Sequence, residues 1–578
     1  MILKRKHFGI LLIIATMLIF GIRIINLDAD VPAYELGYYM QFDEGFYAVD
    51  GIKIARPEMV AVQQAVDDTG LRQWPTSDSW IVTVMVALSL RLFGNNYYGL
   101  RMSSVIQGFL ILVMLLLIML RERRENHYFE VVFPSLILLS SYGFLLATRI
   151  VEPSIGRCFF LMLFLLIGYF QERGNKPGLF TYGVVAMVCV VLSYPTNIFI
   201  IGAAGCQILY KLILGRKTLA DFIKKLLIFV GGMTAGYAIC EPLYYMAEGT
   251  TFASRFVLDV SKQAGSLIVL SPSAFKNNIC DYLKSNTVIY TPAIVVLITV
   301  GIVWCAYKGI KEKQGFYALV FFTVVMHAAQ SVLVSDFVAR KSVVIFPAFL
   351  LCLFLLIRDY DEALLKIKNC RYSRLFTFFW LIETAVMMYF SYRKIWVISD
   401  CLTTPVLKMI LVAFMELQLA LLAVLILTVK KDGKKAVVVA FMIITIIPAV
   451  IMSIKTVFCS EKTEKAAMID IGSIVGDKCV LGGFPYCACL YNDIIPMSGM
   501  YDYYLDEEYD TRNRFLMAKD EVQYFVGFKE DERLATWSEG TEYEWELVKE
   551  YKTSFYLPDR SDETNNYYLY RKVRKDEK

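Results

Sequence analysis

Charge is scarce in this sequence. Asp, Glu, Lys and Arg make up 20% of its 578 residues, against 57% hydrophobic residues, and mean hydropathy is +0.51. That balance excludes an ordinary soluble chain, and the repeated apolar runs of about 20 residues call for a polytopic helical membrane protein. Internal repeats and low-complexity tracts are also missing. The first apolar run, behind Lys4, Arg5 and Lys6, lacks a small-x-small cleavage site, so it reads as a retained span rather than a signal peptide. The 13 cysteines make no metal motif: Cys487-Ala488-Cys489 is too tight and has no His/Cys partner pair, and others lie inside apolar runs as small hydrophobes. The net charge of +5 calls for no nucleic-acid partner, because the basic residues flank apolar runs.

Backbone polar groups in lipid must pair internally, so each run is read as a helix. The spans predicted are 8–27, 97–120, 131–148, 156–171, 178–195, 198–214, 226–246, 288–307, 316–334, 342–357, 375–392, 405–429 and 436–454, thirteen in all. Alternate connections are basic: Arg121 to Arg124, Arg216-Lys217 with Lys224-Lys225, Lys308 to Lys313, and Lys430 to Lys435. The positive-inside rule then puts the N-terminus in the cytoplasm, and an odd span count puts the end of the chain outside. The expected organisation is a transmembrane domain, 1–454, with long outer loops 28–96 and 247–287, and a small outer α/β domain, 455–578. Within the first outer loop, Trp80 to Phe93 is apolar but too short to cross a bilayer, and reads as an interfacial helix. In the tail, Lys478–Gly483, Val522–Val526 and Tyr567–Tyr570 read as strands, with acidic helical stretches between them.

Four places could carry chemistry. The loop Gln41-Phe42-Asp43-Glu44-Gly45-Phe46-Tyr47-Ala48 sets two carboxylates and an aromatic residue at the membrane edge. Acids there either face a cavity, a cation or a substrate, or form a solvated pair or the acidic first turn of a helix. Thr148-Arg149-Ile150-Val151-Glu152-Pro153-Ser154 is a short turn on the same side, where Arg149 and Glu152 either pair with each other or bring a carboxylate towards Asp43. Asp336 to Lys341 offers Arg340 and Lys341, which either snorkel to the headgroups or clamp a phosphate; His327 nearby reads as a core residue. Ser193-Tyr194-Pro195-Thr196-Asn197 reads as a helix-breaking turn.

An acidic pair after the first span, a short helix ending Leu90-Arg91-Leu92-Phe93-Gly94, and Leu100-Arg101-Met102-Ser103-Ser104 opening the next span together resemble the GT-C superfamily of glycosyltransferases. The likeness is to the branch holding the protein O-mannosyltransferases and the lipid A aminoarabinose transferase. Thr148 to Pro153 fits that family's second acidic turn, and Arg340 ahead of Phe346-Pro347-Ala348 fits its basic residue before a proline-bearing span. The motifs cover residues 1–360, and the remainder matches in topology only.

The resemblance implies an integral membrane transferase that moves a sugar from a polyprenyl-phosphate donor to a cell-surface glycan, lipid or protein, with inversion at the anomeric carbon. It implies Asp43 as general base, Glu152 as its catalytic companion, and Glu44, Tyr47, Arg149, Arg340 and Lys341 as substrate-binding groups. Relatives often carry Lys or His with Pro-Pro ahead of the interfacial helix; this chain has Gln73-Trp74-Pro75, so that phosphate ligand is either missing or replaced by Arg72. The lipid-linked sugar is the substrate, no other cofactor is expected, and no residue is assigned as a metal ligand. The implied location is the plasma membrane. Two readings from other classes compete: a secondary transporter or lipid flippase, disfavoured by the lack of a repeat and of midplane charges, and a non-catalytic assembly partner.

Overall fold

The computed structural model describes residues 5–30, 40–56, 79–125, 127–173, 178–214, 218–248, 292–333, 339–369, 381–390, 405–427, 434–458 and 462–476, with short pieces at 251–282 and 378–379. In the tail it describes 479–481, 485–491, 495–497, 522–527, 532–552 and 566–577. Each of the thirteen expected spans overlaps helical residues, with 131–148 and 342–357 each divided between two helices. Among the described residues, five helices are long and apolar enough to cross a membrane by themselves: Tyr97–Glu122, Pro153–Glu172, Leu219–Met246, Ala293–Lys311 and Gly315–Leu333. The protein is a multi-pass membrane protein.

The helices pack as one bundle. Tyr97–Glu122 lies against Trp80–Phe93 and Pro153–Glu172, Phe199–Leu214 against Gly315–Leu333, and Pro292–Ala306 against Phe346–Arg358. Pro405–Leu427 and Lys434–Phe458 pair with each other and rest on Pro292–Ala306 and Phe129–Ser140 respectively. At one end the bundle is tied by ion pairs, with Glu122 between Arg173 and Arg358, and Lys308 between Glu312 and Glu362 (2.8 Å each). The candidate residues lie at the other end.

Two local expectations need correction. The expected span 131–148 is two helices, Phe129–Ser140 and Tyr142–Ala147: Ser141 leaves the helical conformation, and its Oγ caps Phe144 N at 3.4 Å, giving the backbone an alternative to the continuous ladder. Residues 40–48 are not a loop but open the helix Met40–Ala55, so Asp43 and Glu44 sit in its first turns, where carboxylates suit the helix dipole. Trp80–Phe93 buries one face (Ile81, Val82, Val86, Leu90) between Met40–Ala55 and Tyr97–Glu122, and leaves Leu88 and Leu92 exposed. Gly94 ends it at φ 92°, a conformation that suits glycine, and the Asn96 side chain then caps the next helix by accepting from Gly99 N at 2.9 Å.

The tail forms a five-stranded sheet in the order β2-β1-β3-β5-β4, with β1 Cys479–Leu481, β2 Ile495–Met497, β3 Val522–Gly527, β4 Tyr543–Lys552 and β5 Asn566–Arg574. The three at the β2 end are parallel; β5 runs antiparallel to β3 and β4. β4 corrects the expected acidic helix, since Tyr543-Glu544-Trp545-Glu546-Leu547 alternates apolar and charged residues with period two. Trp537 is buried edge-on against Phe525, 6.2 Å between ring centroids, and anchors the short helix Glu532–Ser538 to the sheet.

Candidate active site

The site is built on a frame of buried arginines. Arg101, one turn into the Tyr97–Glu122 helix, meets Glu44 fork to fork: Nε donates to Oε1 at 2.9 Å and Nη2 to Oε2 at 2.8 Å. Its Nη1 donates to the carbonyls of Leu27 (2.9 Å) and Ala29 (2.5 Å). Glu44 Oε1 also accepts from Val151 N at 3.1 Å, so the helix bearing the acids is fastened directly to the second acidic turn. Both side chains are 1% exposed. An ion pair so far from water is sustained only by this completeness of bonding, because each partner gives up its hydration.

Arg149 continues the frame. Its Nη1 donates to the carbonyls of Arg23 (2.8 Å) and Ile25 (2.9 Å), and its Nη2 to that of Asn26 (2.5 Å). Arg23 returns across the turn to Thr148 Oγ1 (3.1 Å) and Leu139 O (3.0 Å). Two guanidinium groups therefore hold five carbonyls of residues 23–29, the end of the first span. The chain turns left-handed within this segment at Asn26, φ 50°, a conformation Asn tolerates.

Glu152 is buried at the start of Pro153–Glu172. Its Oε2 accepts from Ser154 N at 2.5 Å and its Oε1 from Ser154 Oγ at 3.1 Å, an N-cap followed by proline at the first helical position. One turn further, Arg157 Nε donates to Asn197 Oδ1 at 3.0 Å, and its guanidinium lies 5.6 Å from the Tyr194 ring centroid. Asn197 Nδ2 donates in turn to Ser193 Oγ at 2.7 Å. The Ser193–Asn197 turn is therefore more than a helix break, since it seats a buried cation beside the second acidic turn.

The structure brings together three of the expected segments. Met40–Ala55, the 148–154 turn and the helix Ala339–Val344 meet at one end, the last packed on Tyr142–Ala147 and Pro153–Glu172. Asp43 lies on the first of these helices, Arg340 and Lys341 on the last, with their side chains outside the described residues. Arg72 lies outside the described residues altogether. Tyr47 is half-buried on the same helix as Asp43. Glu44 and Arg149, expected to touch substrate, are buried and engaged with the protein's own groups, which makes them parts of the frame. His327 is buried with its ring edge-on to Phe199, 5.0 Å between centroids, as a core residue would be.

The whole architecture has solved counterparts. ArnT from Cupriavidus metallidurans in the apo state superposes with a TM-score of 0.56 at 12% identity, covering 98% of this chain and 98% of that one. The same protein bound to undecaprenyl phosphate gives 0.53 at 11% identity, covering 97% of each chain. The fold is GT-C. No family model matches the sequence, and no curated protein matches it.

Within the GT-C bundle, sequence reasoning missed the residues that do most of the holding: Arg101 as partner of Glu44, Arg157 as partner of Asn197, and Tyr97. A charged residue inside an apolar run was the available signal for Arg101 and Arg157. Outside the membrane-spanning segments, Asp28 is a perturbed group. Partial burial alone would raise its carboxyl, but hydrogen bonds from Lys462 and Lys465 outweigh it and hold the group at about 2.

Proposed function

We propose that this protein is a membrane glycosyltransferase that moves a sugar from a polyprenyl-phosphate donor to a cell-surface acceptor. The observation that carries the reading is the fastening of Glu44 to Val151, which fixes the Asp43-bearing helix to the Glu152 turn within a GT-C bundle. The likeness to ArnT bound to undecaprenyl phosphate supports a donor of that lipid class.

In this reading the acceptor oxygen attacks the anomeric carbon from the face opposite the phosphate. Asp43 takes the hydroxyl proton as the new bond forms. The bond from the anomeric carbon to the phosphate oxygen breaks, and the lipid phosphate leaves with the electron pair. Arg340 and Lys341, on a helix packed beside the acidic turn, meet the charge that develops on it. Arg72 adds a further cation, Tyr47 lines the sugar pocket, and Glu152 sets the field in which Asp43 works. No cofactor is required beyond the donor. The N-terminus lies in the cytoplasm, the reaction takes place on the outer face of the plasma membrane, and residues 455–578 form an outer domain.

The test is mass spectrometry of surface glycans and envelope lipids from cells lacking the gene, complemented by wild type or by Asp43→Asn. The expected result is a sugar lost in the deletion, restored by wild type and reduced about 100-fold or more with Asp43→Asn, as loss of a general base requires. A fully active Asp43→Asn protein, or a deletion that alters no glycan, overturns the reading.

A further inference from the structure

The C-terminal domain reaches the site frame through buried polar contacts on two of its elements. Helices begin with amide N–H groups that lack intrahelical partners. The first N–H of the Tyr97–Glu122 helix, that of Tyr97, donates to the Tyr491 hydroxyl at 3.2 Å, and the two rings lie 6.1 Å apart between centroids. Tyr97 Oη donates to Glu464 Oε1 at 3.4 Å. The Arg101 guanidinium lies over the same ring, 4.9 Å from its centroid. Farther along the acid-bearing helix, Arg56 Nη1 donates to Cys489 O at 2.5 Å.

The reverse contacts come from the membrane side. Asp30 caps the helix Thr463–Val475, with Oδ2 accepting from Thr463 N (3.0 Å) and Thr463 Oγ1 (2.6 Å), and Oδ1 accepting from Glu464 N (3.2 Å). Asp28 pairs with Lys462 (2.8 Å) and Lys465 (2.5 Å). A domain merely tethered to the bundle would meet it through rim contacts. Here Tyr97 and Glu464, each at most 2% exposed, lie directly behind Arg101 and Glu44.

We infer that Glu464 and Tyr491 of the C-terminal domain are positioning residues of the transfer site, acting through Tyr97 and Arg101 on the helix that carries Asp43. The inference rests on the transferase reading for its consequence in catalysis, but its structural part is independent of it. The route runs from Glu464 to Tyr97, to Arg101, to Glu44 and to Val151 N, and Arg56 fixes the far end of the same helix.

The test is hydrogen exchange on the full chain in nanodiscs, read separately for residues 40–55 and 462–476, with transfer by the same variants measured in complemented cells. Tyr97→Phe removes the hydroxyl that donates to Glu464, and Tyr491→Phe the hydroxyl that accepts from Tyr97 N. Each is expected to speed exchange over 40–55 by about fivefold or more, the scale of one lost net hydrogen bond, with 462–476 still protected. Glu464→Leu should do the same, whereas Glu464→Gln, which keeps an acceptor oxygen, should restore slow exchange. Transfer should fall through kcat with KM little changed. Unchanged exchange over 40–55 in Tyr97→Phe and Glu464→Leu, or loosening confined to 462–476, overturns the inference. Loosened 40–55 exchange together with a deletion that alters no glycan would instead sink the transferase reading and leave the positioning route standing.

Discussion

Arg101 and Glu44 stand 57 residues apart in the chain and meet through two parallel bonds, 2.9 and 2.8 Å, in a place water does not reach. The pair joins the Met40–Ala55 helix to the first of the membrane-long helices, Tyr97–Glu122. It also sets up an asymmetry between losing one partner and losing both.

Removing either partner alone strands the other as an uncompensated buried charge, at a cost of about 3–5 kcal/mol. Arg101→Met should be the worse single change, because it also orphans the carbonyls of Leu27 and Ala29. The double variant Glu44→Leu with Arg101→Met should melt at a higher temperature than Arg101→Met alone, yet below wild type. Thermal unfolding of the purified protein in nanodiscs measures all three, and a double variant less stable than Arg101→Met would contradict the pairing.

The Asp28 carboxyl gives the C-terminal docking a pH dependence of definite sign. Its folded value, about 2, lies below the ordinary 3.8, so the fold favours the ionised form. That contribution is complete above about pH 4 and is lost as pH falls towards 2. Pepsin cleavage at the junction with residues 462–476 should accelerate across this window in wild type. In Asp28→Asn, which cannot ionise, the acceleration should be smaller, with cleavage already faster at pH 4. Identical profiles for the two proteins would exclude Asp28 as the source.

Neighbouring glycines on the Leu219–Glu248 helix should respond with opposite signs. Gly232 faces Leu179–Val191 so closely that a Cβ there collides with the Phe180 carbonyl oxygen, and at Gly236 it would come within 2.7 Å of Val184 O. Gly231 has open space. Small residues at this spacing let membrane helices approach backbone to backbone. Gly232→Ala should therefore destabilise by about 1–3 kcal/mol through overpacking, and Gly231→Ala should be neutral or stabilise by up to about 1 kcal/mol through helix propensity. Differential scanning fluorimetry separates the two, and equal shifts would rule out the close approach.

The spans were legible because apolar length is a direct physical requirement of the bilayer, and every expected run overlaps helical residues. The break at Ser141 was not, since a serine continues a helix or caps a new one according to its surroundings. The segment 40–55 was taken as loop at its start because its charges interrupt the apolar pattern; burial of Glu44 against Arg101 is what makes a helix there viable. β4 was misread by composition, although its period-two alternation was present in the letters. In the site, the sequence could flag isolated charges but not their partners. Glu44 with Arg101, Arg149 with the carbonyls of 23–26, and Arg157 with Asn197 are all pairings made by tertiary structure.

Glu152 offers the sharpest separation between a structural and a chemical role. Its two oxygens accept from Ser154 N and Oγ, so in this structure it is an N-cap first. Glu152→Gln retains an acceptor oxygen for Ser154 N and removes the charge, whereas Glu152→Ala removes both. A pure cap predicts a loss of about 1 kcal/mol in stability for Ala and little for Gln, with transfer following stability. A carboxylate that raises the basicity of Asp43 predicts something different for Gln. Melting should stay within about half a degree of wild type, corresponding to roughly 0.5 kcal/mol or less for a chain of this size. Transfer should fall about tenfold or more, and the acid limb of its pH profile should move to lower pH, because a neighbouring negative charge holds a carboxyl's pKa up. We expect this second pattern. Its decisive readout is the position of the acid limb: an Ala or Gln variant that loses rate in proportion to stability, with the limb unmoved, would leave Glu152 a cap and nothing more.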